Sequence, residues 1–302
     1  MLPLRPMQPI KKAHFAALGA NLCFGINFAA VKMVTPSLIG SFGLNVARVL
    51  AATGLFWLLY LMKPGRPGIE KKDIGLFILC AVTGIGLNQL LFIKGLSLTT
   101  TIHSSLLILI TPILITFLAA WLMKEPLSWQ KIAGLLIGIS GASVLILSKG
   151  AETEAEQMLL GDLLIVMNAI VYSVYLIMVK PLMTRYSAIH VVRWTFTIGM
   201  FMILPVGWNQ FQDALWNSFT LFQWAALIFV LVGGTFFAYL LNVYAIGKIG
   251  ASVTGSYIYT QPVFAAIIAI IWLGESFTWV KLLAAILIFT GVYGVTRTKS
   301  TS

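Results

Sequence analysis

The sequence predicts an all-α polytopic membrane protein with ten transmembrane helices arranged as two inverted five-helix repeats. Three observations predict this class: an apolar composition, ten long apolar stretches, and internal matches at a spacing of 150 residues. Of the 302 residues, 59% are hydrophobic and 10% are charged, whereas soluble domains have roughly 45–50% and about 25%. The composition therefore excludes a soluble globular domain, and it excludes a disordered chain, which needs low hydrophobicity.

A helix needs about 20 mostly apolar residues to cross roughly 30 Å of hydrocarbon. Ten stretches meet this length, at approximately 13–33, 41–61, 73–95, 101–123, 128–148, 159–180, 188–208, 221–247, 251–273 and 279–297. Short breaks separate them, and Ser128 and Thr278 stand where helix N-caps are expected. The least hydrophobic internal segment, 149–157, divides the chain into two predicted domains, 1–150 and 151–302, each with five spans.

The formal net charge of +11 indicates membrane topology rather than nucleic-acid binding, because the basic residues form no stripe. Most of the 20 Lys and Arg residues fall on one side of the predicted membrane. Only Lys32, Lys94, Lys149 and Lys281 fall on the other side. Short cytoplasmic loops retain basic residues, so both termini are predicted to be cytoplasmic.

Residues 150 positions apart match along three helices, and the matches include rare residue types. The pairs are Gly84 with Gly234, Leu90-Leu91 with Leu240-Leu241, Pro112 with Pro262, Glu125 with Glu275, Trp129 with Trp279, Lys131 with Lys281 and Gly141 with Gly291. Because each repeat has an odd number of helices, the second copy must enter the membrane from the opposite side. Inverted repeats of this kind are typical of secondary transporters, which bind their solute near the midplane between the halves.

Several short motifs occur in a characteristic order along the ten predicted helices. In the first half they are Phe24-Gly25-x-Asn27-Phe28, Arg48 with Ala51-Ala52, Phe92-x-x-Gly95-Leu96, Pro112, the run from Lys124 to Trp129, and Gly141. In the second half they are Gly161-Asp162, Tyr244-Ala245-Ile246, Gln261-Pro262, Leu273-Gly274-Glu275 and Gly291. With these motifs the chain resembles the EamA-type branch of the drug/metabolite transporter superfamily over nearly its whole length.

The resemblance implies export of an amino acid or related metabolite across a bacterial cytoplasmic membrane. Two departures from the family pattern leave the substrate open. Phe24 stands where the family often has Trp, and the residue before the proline is Thr111 in one repeat and Gln261 in the other.

Candidate binding residues are polar or aromatic side chains far from helix ends. We predict as substrate-binding Asn27, Asn88, Phe92, His103, Asn168, Tyr172, Tyr175, Tyr239, Asn242, Tyr257 and Gln261. Amides mixed with aromatic rings suit a zwitterion or an aromatic metabolite better than a bare ion. Any one of these amides is also explained by a hydrogen bond that merely fastens two helices.

Pro112 and Pro262 are predicted hinges midway along their spans. A proline removes one N–H and leaves the carbonyl four residues earlier, at Ile108 or Ile258, without its usual partner. In a bilayer that carbonyl needs a neighbour, water or ligand. The alternative is a static kink accommodated by packing.

Charged groups within the spans are few. Arg48 and Arg193 lean into the membrane, where each either reaches the interface, ties two helices, or binds a substrate carboxylate. Asp162 is expected at the start of the sixth helix, and Glu125 and Glu275 as cap or loop residues. For His103 the alternative to solute binding is a packed hydrogen-bonding residue. Since all nine carboxylates lie in loops or near helix ends, no buried carboxylate relay is predicted, and facilitated diffusion stays open.

The sequence thus predicts an alternating-access carrier of small metabolites. The runner-up is a multidrug or quaternary-cation exporter, which would need a carboxylate within the membrane, and a passive channel is the alternative from another class. An intramembrane enzyme is not expected, because no catalytic motif or metal-ligand spacing occurs, and no metal or cofactor is expected. Gly134, Gly138, Gly291 and Gly294 predict close helix approach, within one chain or in a homodimer.

Overall fold

A computed structural model of the protein describes residues 7–62, 65, 68–123, 129–147 and 155–296, and these residues form ten helices. They are α1 (Met7–Val34), α2 (Ser41–Met62), α3 (Lys71–Leu98), α4 (101–123), α5 (Trp129–Leu147), α6 (Ala155–Arg185), α7 (Ala188–Gln212), α8 (Leu221–Ile249), α9 (251–273) and α10 (Trp279–Thr296). The predicted ten helices are confirmed. The largest differences are that α1 begins at Met7 and that α6 extends from Ala155 to Arg185.

Within the described ranges, seven helices are long and apolar enough to cross a membrane: α1, α2, α3, α6, α7, α8 and α9. Shorter apolar segments lie in the other three, at Thr101–Ile115, Ile132–Gly141 and Trp279–Gly291. The helical backbone itself is longer, with 19 residues in α5 and 18 in α10. At 1.5 Å per residue these helices span nearly the thickness of the hydrocarbon core.

The same departures from α-helical geometry occur at matching places in both halves. A π-helical turn at Val82–Gly86 interrupts α3, and a longer one at Phe229–Phe237 interrupts α8. Both π-helical turns contain glycines, which allow the backbone to leave α-helical geometry. In α8 the Thr235 hydroxyl also donates to the carbonyl of Val230, five residues earlier. A 3-10 turn likewise interrupts α4 at Ile108–Ile110 and α9 at Tyr257–Thr260. The repeat detected in the sequence is therefore a repeat of backbone conformation.

Corresponding helices of the two halves lie antiparallel. A Cβ on Gly291 of α10 would overlap the backbone of Gly138, whereas a Cβ on Gly141 would lie 2.9 Å from Ile288. As α5 advances by three residues, its partner goes back by three. In the same way Phe42 of α2 contacts Gly207, while Trp57 donates to the hydroxyl of Thr197. The close approach of Gly138 and Gly291 is within one chain.

The other contacts between helices are also equivalent in the two halves. Helix α3 packs on α6 as α8 packs on α1, and α4 packs on α6 as α9 packs on α1. The ring of Tyr175 fills the space beside Gly84, and Asn27 fills the equivalent space beside Gly234. This architecture leaves α1, α3, α4, α6, α8 and α9 around the centre and places α5 against α10.

Some sequence-based expectations lie outside the described residues. They concern Glu125, the N-cap at Ser128 and the dividing segment up to residue 154. The other predicted N-cap is observed, because Thr278 accepts from the backbone N–H of Lys281 at the start of α10.

Candidate functional site

A single central chamber gathers polar and aromatic side chains from both halves. The space between its protein atoms amounts to about 530 Å³, including the part open at its mouth. Its wall consists of Phe24, Asn27, Phe28, Arg48, Asn88, Gln89, Phe92, Ile108, Asn168, Tyr172, Tyr239, Ile258 and Gln261. These residues come from α1, α2, α3, α4, α6, α8 and α9, so both repeats build the chamber.

Several wall residues occupy equivalent positions in the two repeats. Ile108 and Ile258 are 150 residues apart, as are Gln89 and Tyr239. The two isoleucines belong to the matching 3-10 turns of α4 and α9. The axis that relates the halves therefore passes through the chamber, as expected for a solute site at the interface of inverted repeats.

Hydrogen bonds hold the polar wall in place. The Asn168 side chain donates to the carbonyl of Asn88 at 2.8 Å. The Tyr239 hydroxyl lies 3.1 Å from Oδ1 of Asn88 and 3.2 Å from the carbonyl of Gly84, whose π-helical turn exposes it. The Gln261 amide donates to Oδ1 of Asn21 at 2.6 Å. Amides thus join α3 to α6 and α8, and α9 to α1.

Aromatic rings form the apolar part of the wall. Phe28 and Phe92 meet edge to face with ring centroids 5.1 Å apart, and Phe24 meets Tyr239 in the same way at 5.7 Å. Edge-to-face contacts of this kind orient the rings. The chamber therefore presents ring surfaces beside amide groups.

Arg48 is the one charged residue in the wall of this chamber as described. It is 2% exposed, and its Nε donates to the Thr235 hydroxyl at 2.9 Å. The buried guanidinium thus ties α2 to α8, as one of the alternatives considered for it expects. Arg193, by contrast, lies outside the wall, with its guanidinium 3.7 Å from the ring centroid of Tyr60 and 4.7 Å from that of Trp57.

The structure brings seven of the eleven predicted binding residues into this wall. They are Asn27, Asn88, Phe92, Asn168, Tyr172, Tyr239 and Gln261. Asn242 is not part of the wall but is hydrogen-bonded to a wall residue, because its amide donates to the Tyr172 hydroxyl at 2.8 Å. A role of these residues in binding remains a prediction.

Three further candidates lie outside the wall of this chamber. Tyr175 is fully buried against Gly84. Tyr257 bonds through its hydroxyl to Nδ1 of His14 at 2.8 Å. His103 bonds to Asp162. Each was selected as a polar or aromatic residue within a span, but helix packing turns each toward a protein neighbour.

Six wall residues were absent from the predicted set. They are Phe24, Phe28, Arg48, Gln89, Ile108 and Ile258. Carboxylate binding was one of the alternatives considered for Arg48. Gln89 was detectable as a mid-span amide next to Asn88. The phenylalanines and isoleucines resemble ordinary core residues in an apolar sequence, so composition carries no signal for them.

Pro112 and Pro262 are buried, and each follows a 3-10 turn. The expected carbonyl without a partner is not observed at Ile108, which accepts from the backbone N–H and, at 2.6 Å, from the hydroxyl of Thr111. The reason is local, since threonine supplies a second donor within the same turn. A mid-helix 3-10 turn is common at hinges, and the hinge role remains a prediction.

Asp162 and His103 form a buried pair that the sequence analysis treated as two separate residues. Asp162 does not open α6 but lies well inside it, 1% exposed, and His103 is 3% exposed. Nδ1 of His103 lies 3.1 Å from Oδ2 of Asp162, and the Thr99 hydroxyl donates to Oδ1. The pair joins α4 and the end of α3 to α6, about 8 Å along α4 from Ile108 at 1.5 Å per residue.

Glu275 was expected to be a cap or loop residue. It is a helix cap, but the helix that it caps belongs to the other repeat. Its carboxylate oxygens accept from the backbone N–H groups of Thr101 at 2.7 Å and Ile102 at 3.1 Å. These donors begin α4, and a helix N-terminus favours a negative charge. The loop between α9 and α10 is thereby tied to the start of α4.

Comparison with known proteins identifies this arrangement. The sequence profile of the EamA-like transporter family matches residues 11–147 and, as a second copy, 159–297. The chain belongs to the EamA-like transporter family. As a member it is a multi-pass membrane protein of a family of small-molecule transporters, built from two copies of the family unit.

Curated relatives of this EamA-like protein are named as transporters. It is 23% identical to the uncharacterized transporter YetK of Bacillus subtilis, with 97% of this chain and 92% of the relative covered. It is 25% identical to a probable terminal-alkyne amino-acid exporter of Streptantibioticus cattleyicolor, covering 88% of this chain and 87% of the relative. A WAT1-related protein of Arabidopsis thaliana is also 25% identical, over 92% of this chain and 80% of its own.

A solved crystal structure shares the fold of this EamA-like protein. The TM-score is 0.65, with 18% sequence identity, and the match covers 95% of this chain and 97% of the other. The ten-helix arrangement is thus one that another chain adopts at low sequence identity.

Proposed function

We propose that this EamA-like protein is an alternating-access secondary transporter that exports amino acids or related metabolites across a bacterial cytoplasmic membrane. In this proposal both termini lie in the cytoplasm. The observation that carries it is the chamber whose wall includes equivalent positions of two inverted halves, such as Ile108 and Ile258. Two halves that can exchange conformations around such a chamber can expose it to each face in turn.

The chemistry of the wall supports a small zwitterionic or aromatic solute. Asn88, Asn168 and Gln261 supply amide groups, while Phe28 and Phe92 supply ring surfaces. One relative of similar length is named as a probable amino-acid exporter, which favours the same solute class here. A site that pairs a few fixed polar groups with apolar walls is typical of small-molecule recognition.

Side-chain ties near the start of α4 indicate how one face of the chamber is closed. Glu275 accepts hydrogen bonds from the N–H groups of Thr101 and Ile102, and Asp162 bonds to the side chain of the next residue, His103. In the proposed topology these ties lie on the non-cytoplasmic side. Opening that side requires them to separate, with Pro112 and Pro262 as hinges.

The test is solute counterflow in proteoliposomes that contain the purified protein. Vesicles are loaded in turn with each member of a panel of amino acids, amines and organic acids, and uptake of the same labelled solute is followed. We expect saturable, solute-specific counterflow. Absence of counterflow over the whole panel would contradict the proposal, and single-channel currents without counterflow would identify a passive channel.

A further inference from the structure

We propose that Arg48 binds a carboxylate of the transported solute, so that the chamber selects acids and zwitterions over amines and neutral amides. This inference rests on the proposed transport function and names the solute class. It assigns the selection to one side chain in the wall of the chamber.

The first step is the position of the guanidinium. Arg48 lies in the chamber wall and is 2% exposed. Among the described residues, no Asp or Glu oxygen lies within 4 Å of its nitrogens. An arginine keeps its charge in proteins, and a buried charge without a counterion is strongly disfavoured. The chamber therefore holds a fixed positive charge that a solute anion can neutralise.

The second step is the hydrogen bonding of that group. Nε donates to the Thr235 hydroxyl at 2.9 Å, and this hydroxyl itself donates to the carbonyl of Val230 at 2.7 Å in the π-helical turn of α8. Thr235 thereby presents only a lone pair to Arg48, which fixes the guanidinium. Nη1 is buried and has no hydrogen-bond partner. A fixed guanidinium with an unused N–H donor is suited to a carboxylate oxygen.

The third step is the effect of the guanidinium on different solutes. A zwitterion brings a carboxylate that the unpartnered Nη1 of Arg48 can bind. An amine or a quaternary cation brings positive charge and no carboxylate, so the guanidinium repels it.

The experiment compares solutes that differ only at the acid group. Counterflow and thermal stabilisation by the solute are measured for each amino acid of the panel, its carboxamide and its decarboxylated amine. For the wild type we expect transport and a raised melting temperature with the acid, and roughly a hundredfold weaker effect with the amide or amine. Transport of amides or amines as good as that of the acids would overturn the proposal.

Variants of Arg48 assign the effect to this residue. Arg48→Gln is expected to remove the preference for the acid, and Arg48→Lys to keep the preference with lower affinity, because lysine retains the charge but not the planar fork. Arg193→Gln is the matched control, a buried arginine outside the chamber wall, and should keep the wild-type preference. An unchanged acid-to-amide ratio in Arg48→Gln would overturn the proposal.

The two proposals fail in different ways. If no compound gives counterflow, the transport proposal fails, and the thermal shifts still decide the role of Arg48. Stabilisation of the wild type by acids but not by their amides supports the carboxylate site. Equal stabilisation by both, or none by any acid, overturns it. If Arg48→Gln does not fold, the wild-type comparison of acid with amide decides alone.

Discussion

The ring of Tyr175 lies directly over Gly84, in space that a side chain at Gly84 would need. Asn27 lies over Gly234 in the same relation. These two contacts bring α6 against α3 and α1 against α8 at the π-helical turns beside the chamber. The glycines therefore set how closely the helices that carry the wall can approach.

Alanine at either glycine should destabilise the protein. We expect Gly84→Ala and Gly234→Ala each to cost about 1–3 kcal/mol through overlap with Tyr175 or Asn27, seen as a lower melting temperature in detergent. The control is Gly54→Ala in α2, where a Cβ would meet nothing within 4 Å. It should leave stability unchanged or raise it by up to about 1 kcal/mol. Equal effects at all three sites would contradict the packing described.

Truncation of polar chamber residues should reduce transport without reducing membrane abundance. Asn88→Ala, Tyr172→Ala and Asn242→Ala each remove a group that lines the chamber or orients a lining group. We expect roughly a tenfold lower kcat/KM in counterflow, corresponding to about 1.4 kcal/mol. Ser140→Ala, an exposed residue of α5, should not alter it. Unchanged flux in all three chamber variants would show that these wall residues do not contribute to solute transport.

The buried pair of His103 and Asp162 should contribute to stability. His103→Ala leaves Asp162 with the Thr99 hydroxyl as its one remaining side-chain partner among the described residues, and loss of a buried partner costs about 1–3 kcal/mol. The melting temperature of the variant in detergent measures this. Ser97→Ala is a control near the same end of α3, because the Ser97 hydroxyl bonds only within its own helix, to the carbonyl of Lys94. A His103→Ala protein as stable as the Ser97→Ala protein would show that the pair adds nothing.

Glu275 should stabilise the start of α4 through its charge. Glu275→Gln weakens two charge-assisted hydrogen bonds to Thr101 and Ile102, with an expected loss of about 0.3–2 kcal/mol. Glu70→Gln is the matched control, because Glu70 forms an exposed pair with Lys72, and such pairs contribute about 0–1 kcal/mol. A larger loss of melting temperature for Glu70→Gln than for Glu275→Gln would contradict the capping role.

The sequence alone predicted the helices, the repeat and its inversion, because each depends on patterns that recur along the chain. Hydrophobic length located the spans, and rare matches such as Pro112 with Pro262 revealed the copies. The positions of Gly84 and Gly234 also matched, although their packing partners were not visible. Those partners lie in helices distant in sequence.

The chamber was only partly predictable for a physical reason. An amide within a span is noticeable whether it faces a cavity or a neighbouring helix, so Asn168 was identified correctly as a wall residue and Tyr257 was not. Phe28 lines the chamber yet has the appearance of a core residue. The pairing of His103 with Asp162 depends on how α4 crosses α6, which spacing along the chain does not specify.

The most direct test of the account is whether the chamber opens to each membrane face in turn. After Cys23→Ala and Cys80→Ala, a single cysteine is placed by Phe92→Cys in the wall, with Leu163→Cys on the exposed surface of α6 as the control. A membrane-impermeant maleimide is then applied from each face of oriented vesicles. The account predicts that Phe92→Cys reacts with the maleimide from both faces and that this reaction blocks counterflow. Counterflow by the Leu163→Cys control should be the same with and without the maleimide. Reaction from one face only, or full counterflow after reaction, would contradict it.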